Sequence, residues 1–190
     1  MITPLCRFTY CNVFEAKANL SGKLKFSCGI MFPKTDTKAI ETIKQAIDEA
    51  IKQGIAKGTI NAAQAQSRNF KYPLRDGDQY YSEANDDSAR AARSGFRGMM
   101  FLSASSDNPV GVVDRYAQPI IDQEEFYSGC WGHADIRFYA FNRGGGIGVG
   151  VGLQNVMKKK DGDRLDGRQT ASDAFASVAD HAEAGAGELE

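Results

Sequence analysis

The sequence has no long apolar run, few histidines and few cysteines. No segment approaches the ~18 consecutive apolar residues of a membrane span, and residues 1–11 lack the charged-then-apolar pattern of a secretory signal, so we expect a cytosolic protein with no membrane contact. The chain has 2 histidines, and its 4 cysteines form no Cys-x-x-Cys pair. We therefore expect no metal site, and buried reduced thiols rather than disulfides. The cysteines are Cys6, Cys11, Cys28 and Cys130.

Nucleotide-binding motifs are also missing, although residues 144–163 read GGGIGVGVGLQNVMKKKDGD. No register of this stretch gives the G-x-G-x-x-G of a dinucleotide site, and the chain has no Gly-Lys-Ser or Gly-Lys-Thr of a P-loop. Glycine instead alternates with branched aliphatic residues from Gly146 to Leu153, which predicts a strand with one bare face. No serine or cysteine near His133 in the sequence lies in a nucleophile-elbow motif. The aspartates of RDGDQ (75–79) are typical of a turn rather than of a metal site. We therefore predict a protein that is not an enzyme and needs no cofactor.

The small net charge of −1 conceals two regions of opposite sign. Residues 1–160 hold 21 basic and 16 acidic residues, a net of +5, whereas residues 161–190 hold 2 basic and 8 acidic residues, a net of −6. We predict a folded domain over 1–165 and a flexible acidic tail over 166–190 that binds partners. An inert solvated terminus remains the alternative. The tail residues expected to contact a partner are Asp173, Asp180, Glu183 and Glu188.

Most of the remaining periodicity is that of strands. The expected strands cover 7–13, 23–32, 96–105, 108–114, 130–142 and the glycine stretch. Strict alternation at 23–32 predicts that Leu24, Phe26, Cys28, Ile30 and Phe32 share the core face. A single helix is expected over 36–54, with Asp36 as its N-cap, an isoleucine stripe facing the core and Gly54 at its end. A long polar insertion, expected to be irregular, follows at 55–95. The outline is mainly β, and it predicts an OB-fold-type barrel of about five strands, although another small barrel or sandwich is not excluded.

Aromatic residues interleaved with basic residues are the strongest functional signal. Single-stranded nucleic acid is bound by rings that stack on bases and by cations that follow the phosphates. The stacking candidates are Trp131, Tyr139, Tyr72, Tyr116, Phe141 and Phe70. The phosphate-binding candidates are Lys23, Lys25, Lys71, Arg75, Arg115, Arg137, Lys158, Lys159 and Lys160. Any one of them could instead be a core ring or a solvated lysine.

Several long blocks resemble a tailed-phage family of single-stranded-DNA-binding proteins with an OB fold. They are LSGKLKFSCGIMFPKTDT (20–37), the helix IETIKQAIDEAI, YPLRDGD (72–78), NPVGVVDRYAQPIID (108–122), EFYSGCWGHADIRFYAFN (125–142) and GIGVGVGLQNVMKKKDGDRLDGR (146–168). They occur in the family's order and cover most of residues 20–175.

This resemblance implies a protein that binds and protects single-stranded DNA during phage replication or recombination, in the cytoplasm of the infected bacterium and without catalysis. It also implies an acidic tail that recruits phage or host replication proteins, and we expect a monomer or homodimer. A structural or scaffold phage protein without a nucleic-acid role is the alternative.

Overall fold

The structure is a computed structural model that describes residues 1–19 and 21–165. The predicted tail, with Asp173, Asp180, Glu183 and Glu188, lies outside the described residues, so the division into a domain and a tail stays a prediction. Within the described part of the chain, no helix is long and apolar enough to cross a membrane.

Strands dominate the architecture. They are β1 Cys6–Ala18, β2 Leu24–Pro33, β3 Phe70–Lys71, β4 Arg75–Asp76, β5 Met99–Ser106, β6 Gly111–Val113, β7 Trp131–Arg143 and β8 Gly146–Lys160. The helices are α1 Thr37–Ala56, α2 Ala62–Ala65, α3 Gly77–Ser82 and α4 Asp87–Ala92, with a 3-10 turn at Ser94–Phe96.

Five of the strands close into a barrel. β1 pairs antiparallel with β2 and β7, β2 pairs antiparallel with β5, and β7 pairs antiparallel with β8. A parallel pairing of β5 with β8, at Ser105 and Gly152, completes the ring. The order β1-β2-β5-β8-β7 is that of an OB fold, which confirms the predicted fold class.

The insertion bridges a gap in this barrel. β5 and β8 pair only at Ser105 and Gly152. Toward the N-terminal ends of these two strands, where they separate, β3 pairs with β8 and β4 pairs with β5. The insertion was predicted to be irregular, but it contains β3, β4 and the short helices α2, α3 and α4, so the prediction of a single helix is also wrong. The turn predicted at RDGDQ is wrong, because Asp76 is the N-cap of α3 and its carboxylate accepts from the backbone N–H groups of Asp78 and Gln79.

The core follows the alternation of side chains along the two long strands of the hairpin. On β7 the even positions face inward, with Ala134 and Ile136 fully buried, and on β8 the branched residues Val149, Val151 and Leu153 are buried. Burying one such aliphatic side chain contributes about 1.5–3 kcal/mol, so this alternation is a major source of stability.

Helix α1 packs across the barrel against β7. Its N-cap is Asp36, as predicted, and the buried Ile43 and Ile47 belong to the expected stripe. Gly54 does not end the helix, which continues to Ala56. Gly54 is buried against β7, where a Cβ would collide with the Cβ of Ala140, so glycine allows the helix to approach β7 closely.

The cysteines are free thiols, as expected from their number and spacing. Cys6, Cys28 and Cys130 are buried and Cys11 is half-buried. Burial raises the pKa of Cys6 to about 12 and that of Cys130 to about 11, so both are protonated, unreactive core residues at neutral pH.

One predicted core residue, Leu24, is exposed. β1 and β2 continue beyond the barrel as a two-stranded arm, where Ala18 pairs with Leu24 and Lys17 pairs with Lys25. In this arm the alternating side chains of β2 extend past the barrel core, so Leu24 has no core to pack against. We call residues 15–25, apart from Leu20, the lysine arm.

Candidate nucleic-acid interface

The bare side of β8 lies next to the outward side chains of β7. Across the β7–β8 ladder, Gly152 is opposite Arg137, Gly150 is opposite Tyr139, and Gly148 is opposite Phe141. Directly opposite residues of a ladder share one face of the sheet. Side chains from β7 can therefore lie over a strand that has none on this side. We call this surface, with Lys71 of β3, the glycine face.

Glycine is required on β8 because the neighbours approach its backbone so closely. A Cβ at Gly150 would lie 2.6 Å from Cζ of Tyr139, and a Cβ at Gly148 would collide with the backbone of Lys71. The Tyr139 ring therefore rests on the backbone of β8. It keeps 40% of its surface exposed, so it is a supported platform with one side available to a ligand.

Three cations lie on the same side of the sheet as this platform. Arg137 precedes Tyr139 on the same face, Arg143 precedes the two-glycine turn of the hairpin, and the Lys71 ammonium lies 3.2 Å from where a Gly146 Cβ would be. Among the residues that the structure describes, none forms an ion pair with Lys71, Arg137 or Arg143. These three positive charges are therefore available to an anion.

The spacing on this face suits an extended polyanion. Arg137, Tyr139 and Phe141 alternate along β7, which places successive side chains ~7 Å apart. Stacking of a base on an aromatic ring contributes about 1–3 kcal/mol, and cations attract phosphates without reading the sequence. The glycine face thus brings together four of the residues predicted for the site: Tyr139, Phe141, Arg137 and Lys71.

A row of small outward residues connects the glycine face with the lysine arm. The strand registers place Asn12 opposite Ser27, Ser27 opposite Ser105, and Ser105 opposite Gly152, which is opposite Arg137. Within this row the Asn12 side-chain amide donates to Ser27 Oγ. The row crosses all five barrel strands and contains no large side chain before Arg137.

Trp131 lies apart from the glycine face, at the opposite end of β7. Its ring has the Arg7 guanidinium at 5.9 Å and the Lys160 ammonium at 5.5 Å. A Cβ at Gly162 would lie 2.8 Å from this ring, so the segment leaving β8 passes directly beside it. Trp131 is therefore half-buried between two cations and the exit segment.

The lysines that end β8 belong to the same region. Lys158 forms an ion pair with Asp161 at 2.8 Å and lies 5.3 Å from the Tyr127 ring, while Lys159 is exposed. The Tyr127 hydroxyl donates to Asp161 and accepts from the Gly162 backbone N–H. Tyr127 was missed by sequence reasoning, and it fixes the exit segment to the barrel.

The remaining stacking candidates have other surroundings. Phe70 packs against the main core. Tyr72 is 39% exposed, and burial together with Asp48 and Glu41 of α1 raises its pKa, so its neighbours are acidic. Tyr116 is exposed on the loop after β6, with the Arg115 guanidinium 5.0 Å from its ring.

A second aromatic cluster lies on the outward side of β2 and β5. Met31 and Phe101 of these strands are buried under Tyr80 of the insertion and under Phe96, which directly follows the insertion. We call this surface the closed face. Arg75, a predicted phosphate-binding residue, lies 5.2 Å from the Tyr80 ring and 5.0 Å from the Phe101 ring.

The rim of the closed face holds two residues that sequence reasoning missed. Arg93 lies over Tyr80 at 4.2 Å, and Tyr10 contacts Phe96 with ring centroids 5.8 Å apart. Partial burial and a hydrogen bond with Tyr80 raise the pKa of Tyr10 to about 12, and its side chain stays 49% exposed. Tyr10 lies in the strand expected at 7–13 and Arg93 lies in the polar insertion, so no sequence pattern marked either residue.

Lys23 and Lys25 lie at the lysine arm, and both contact one carboxylate. Asp107, which follows β5 directly, is 2.8 Å from Lys23 Nζ and 3.3 Å from Lys25 Nζ. In contrast to Arg137 and Lys71, these two predicted phosphate-binding residues are therefore already paired with an anion.

A closed five-stranded barrel with this strand order belongs to the OB-fold class, whose members include domains that bind oligonucleotides and oligosaccharides. Residues 1–185 match the family described as Enterobacter phage Enc34, ssDNA-binding protein. The chain belongs to this family, which confirms the resemblance read from its sequence blocks.

Individual relatives agree with this assignment. The chain is 31% identical over 170 residues to putative protein p50 of Acyrthosiphon pisum secondary endosymbiont phage 1, covering 87% of this chain and 86% of that protein. Its fold is similar to that of the single-stranded DNA-binding protein from bacteriophage Enc34, with a TM-score of 0.64, 23% identity, and coverage of 92% and 88% of the two chains. The structure of that protein in complex with ssDNA gives a TM-score of 0.62 at 21% identity, with coverage of 86% and 87%.

Proposed function

We propose that this protein binds single-stranded DNA without sequence specificity along the outer surface of its barrel, with the glycine face at the centre of the path. The observation that carries the proposal is the exposed Tyr139 ring, supported by the bare backbone of Gly150 and flanked by Arg137 and Lys71, which have no ion-pair partner among the described residues. Membership of the Enc34 family supports it, as does the fold shared with a protein solved in complex with ssDNA.

Stacking and phosphate attraction do not distinguish one base from another, so the protein coats and protects whatever single strand is exposed during phage DNA replication or recombination. This role needs no catalysis and no cofactor. The place of action is the cytoplasm of the infected bacterium, and the protein acts there as a monomer or homodimer.

The test is titration of labelled dT oligomers of several lengths at several salt concentrations. We expect affinity to fall steeply with salt, with a slope set by the few counterions that the bound phosphates release. Lack of salt-sensitive binding at any length would refute the proposal and favour a structural phage protein. Equal affinity for dT and mixed-sequence oligomers is expected, since no base edge is read.

The acidic residues of 166–190 compete with DNA for the basic barrel and recruit phage or host replication proteins. This proposal rests on the opposite charges of the two regions, +5 over 1–160 and −6 over 161–190. Ending the chain after Arg168 removes five acidic residues, Asp173, Asp180, Glu183, Glu188 and Glu190, and no basic ones. The shortened protein should bind oligo-dT more tightly, with a gain that shrinks at high salt.

A full-length variant with these five acids replaced by Asn or Gln separates charge from chain length. It should reproduce the gain of the shortened protein and lose any replication partner captured by the wild-type tail. Unchanged or weaker oligo-dT binding in both variants would refute the competition and leave the binding domain unaffected.

A further inference from the structure

The lysine arm contains a cluster of positive charge that its fold does not need. Lys17 on β1 is directly opposite Lys25 on β2, and Lys23 follows at the end of the arm. Like charges that are directly opposite across an antiparallel pair destabilise it. An anion near these lysines would offset that repulsion.

Asp107 supplies one such anion from outside the arm. Phe26 pairs with Ser106 at the end of β5, so the next residue, Asp107, lies beside the base of the arm. One of its carboxylate oxygens is 2.8 Å from Lys23 Nζ and 3.3 Å from Lys25 Nζ, and the other oxygen is 3.4 Å from Lys25 Nζ. Hydrogen bonds from both lysines lower the pKa of Asp107, so it is ionised at neutral pH. Two ammonium groups around one carboxylate form the same arrangement that would hold a phosphate.

This cluster lies at the end of the row of small residues. Lys25 and Ser27 alternate on β2 and share its outward side, and from Ser27 the row passes through Ser105 and Gly152 to Arg137. A strand that leaves the glycine face along this row therefore reaches Lys25 and Lys23. Exposed ion pairs contribute little to folding stability, so the Asp107 contacts are weak enough for a ligand to replace.

We propose that Lys23 and Lys25 form a phosphate-binding subsite which Asp107 occupies when DNA is absent, so that a bound strand must displace the carboxylate of Asp107. The inference rests on the proposed function. Asp107 thereby lowers the affinity for DNA and keeps the two lysines together in the free protein.

The test compares full-length wild type with Asp107→Asn by fluorescence anisotropy of labelled dT oligomers. Asp107→Asn should bind about three- to tenfold more tightly at low salt, because two exposed ionic contacts no longer compete. The difference should disappear near 1 M salt, where such contacts are screened. Asp87→Asn is the matched control, since Asp87 is also exposed, is also paired with a cation (Arg90) and carries the same charge.

The same comparison in a variant without the two lysines tests whether the effect of Asp107 depends on them. In the Lys23→Ala/Lys25→Ala variant, oligo-dT affinity should fall, and adding Asp107→Asn should then have no effect beyond that of Asp87→Asn. The inference is overturned if Asp107→Asn binds no more tightly than Asp87→Asn, or if its gain persists without the two lysines. If the wild type fails to bind oligo-dT at all, it is the proposed function that fails; if the wild type binds and Asp107→Asn behaves like Asp87→Asn, only this inference fails.

Discussion

The glycine face and the closed face lie on neighbouring strands of one barrel, and both combine aromatic rings with arginines. On the glycine face, Tyr139 rests on a backbone without side chains and stays 40% exposed. On the closed face, Phe96 packs edge-on against Phe101 with ring centroids 4.8 Å apart and is only 2% exposed. The pairing of a ring with a cation therefore does not show which rings are free for a ligand. Whether a ring can contact a ligand depends on which residues cover it.

The largest effect should come from the closed face and should concern stability. Phe96→Ala removes a buried ring between the insertion and β5, so the free energy of unfolding should fall by about 3–5 kcal/mol in urea denaturation. The folded fraction should bind oligo-dT as the wild type does. Phe96→Leu, which keeps most of the volume, should lose much less. A fully stable Phe96→Ala variant would show that the closed face is not a packed core.

On the glycine face the same kind of truncation should affect binding instead. Tyr139→Ala should lose about 1–3 kcal/mol of oligo-dT affinity with its thermal unfolding almost unchanged, whereas Tyr139→Phe should keep most of the affinity. Tyr72→Ala is the matched control, because Tyr72 is 39% exposed but lies near Asp48 and Glu41, which repel phosphate. Equal losses at Tyr139 and Tyr72 would contradict the assignment of the DNA path.

Cations on the two faces should differ in salt dependence. Arg137→Gln should reduce the slope of log affinity against log salt by about one, because one phosphate contact is removed. Arg93→Gln should leave the slope nearly unchanged, since Arg93 lies over Tyr80 and donates to the Tyr80 carbonyl oxygen at 2.9 Å. The reverse order of the two slopes would move the path to the closed face.

The smallest expected effect is a loss of folding stability at low pH. Lys34 bonds Asp76 and Asp78, both at 2.7 Å, and joins β2 to the start of α3 beside the closed face. Hydrogen bonds from Lys34 lower the pKa of both carboxyl groups below 3.8. Their contribution to stability is present above pH 3.8 and is lost as the pH falls through the lowered values.

Thermal unfolding of wild type and Lys34→Met checks this. The two should differ slightly at pH 7, and the difference should shrink as the pH falls below 3.8 and Asp76 and Asp78 become protonated. A difference that persists at low pH would assign the effect of Lys34→Met to packing of its side chain instead of charge.

Much of the barrel was predictable because period two repeats over long stretches. Large and small residues alternate in 130–142, and the odd residues face outward. The adjacent Gly144 and Gly145, both with positive φ, are typical of a tight hairpin turn to the next strand. That hairpin alone places Tyr139 over the glycine strand, so the centre of the candidate site could be read locally.

The insertion and the pairing of its residues could not be read in this way. α3 and α4 have six residues each, too few for an amphipathic period to appear. The contacts of Arg75 with Phe101, and of Lys23 with Asp107, join segments far apart in sequence. They depend on strand registers that periodicity does not specify. The sequence therefore does not distinguish an arginine that lies over aromatic rings, or a lysine in an ion pair, from a cation without such contacts.

The parallel pairing of β5 and β8 has a consequence for how the protein is made. β8 is the last strand of the barrel, and it pairs with β3, β5, β6 and β7, so a nascent chain that ends before residue 146 has an open sheet with unpaired edges. The ring can close only after β8 has left the ribosome, and its partners lie as far back as residue 70. The Tyr139 ring lies against the backbone of β8 at Gly150. A chain that ends before β8 therefore lacks the support that holds this ring in place. On the proposed DNA path, the central surface forms in the same step that completes the fold.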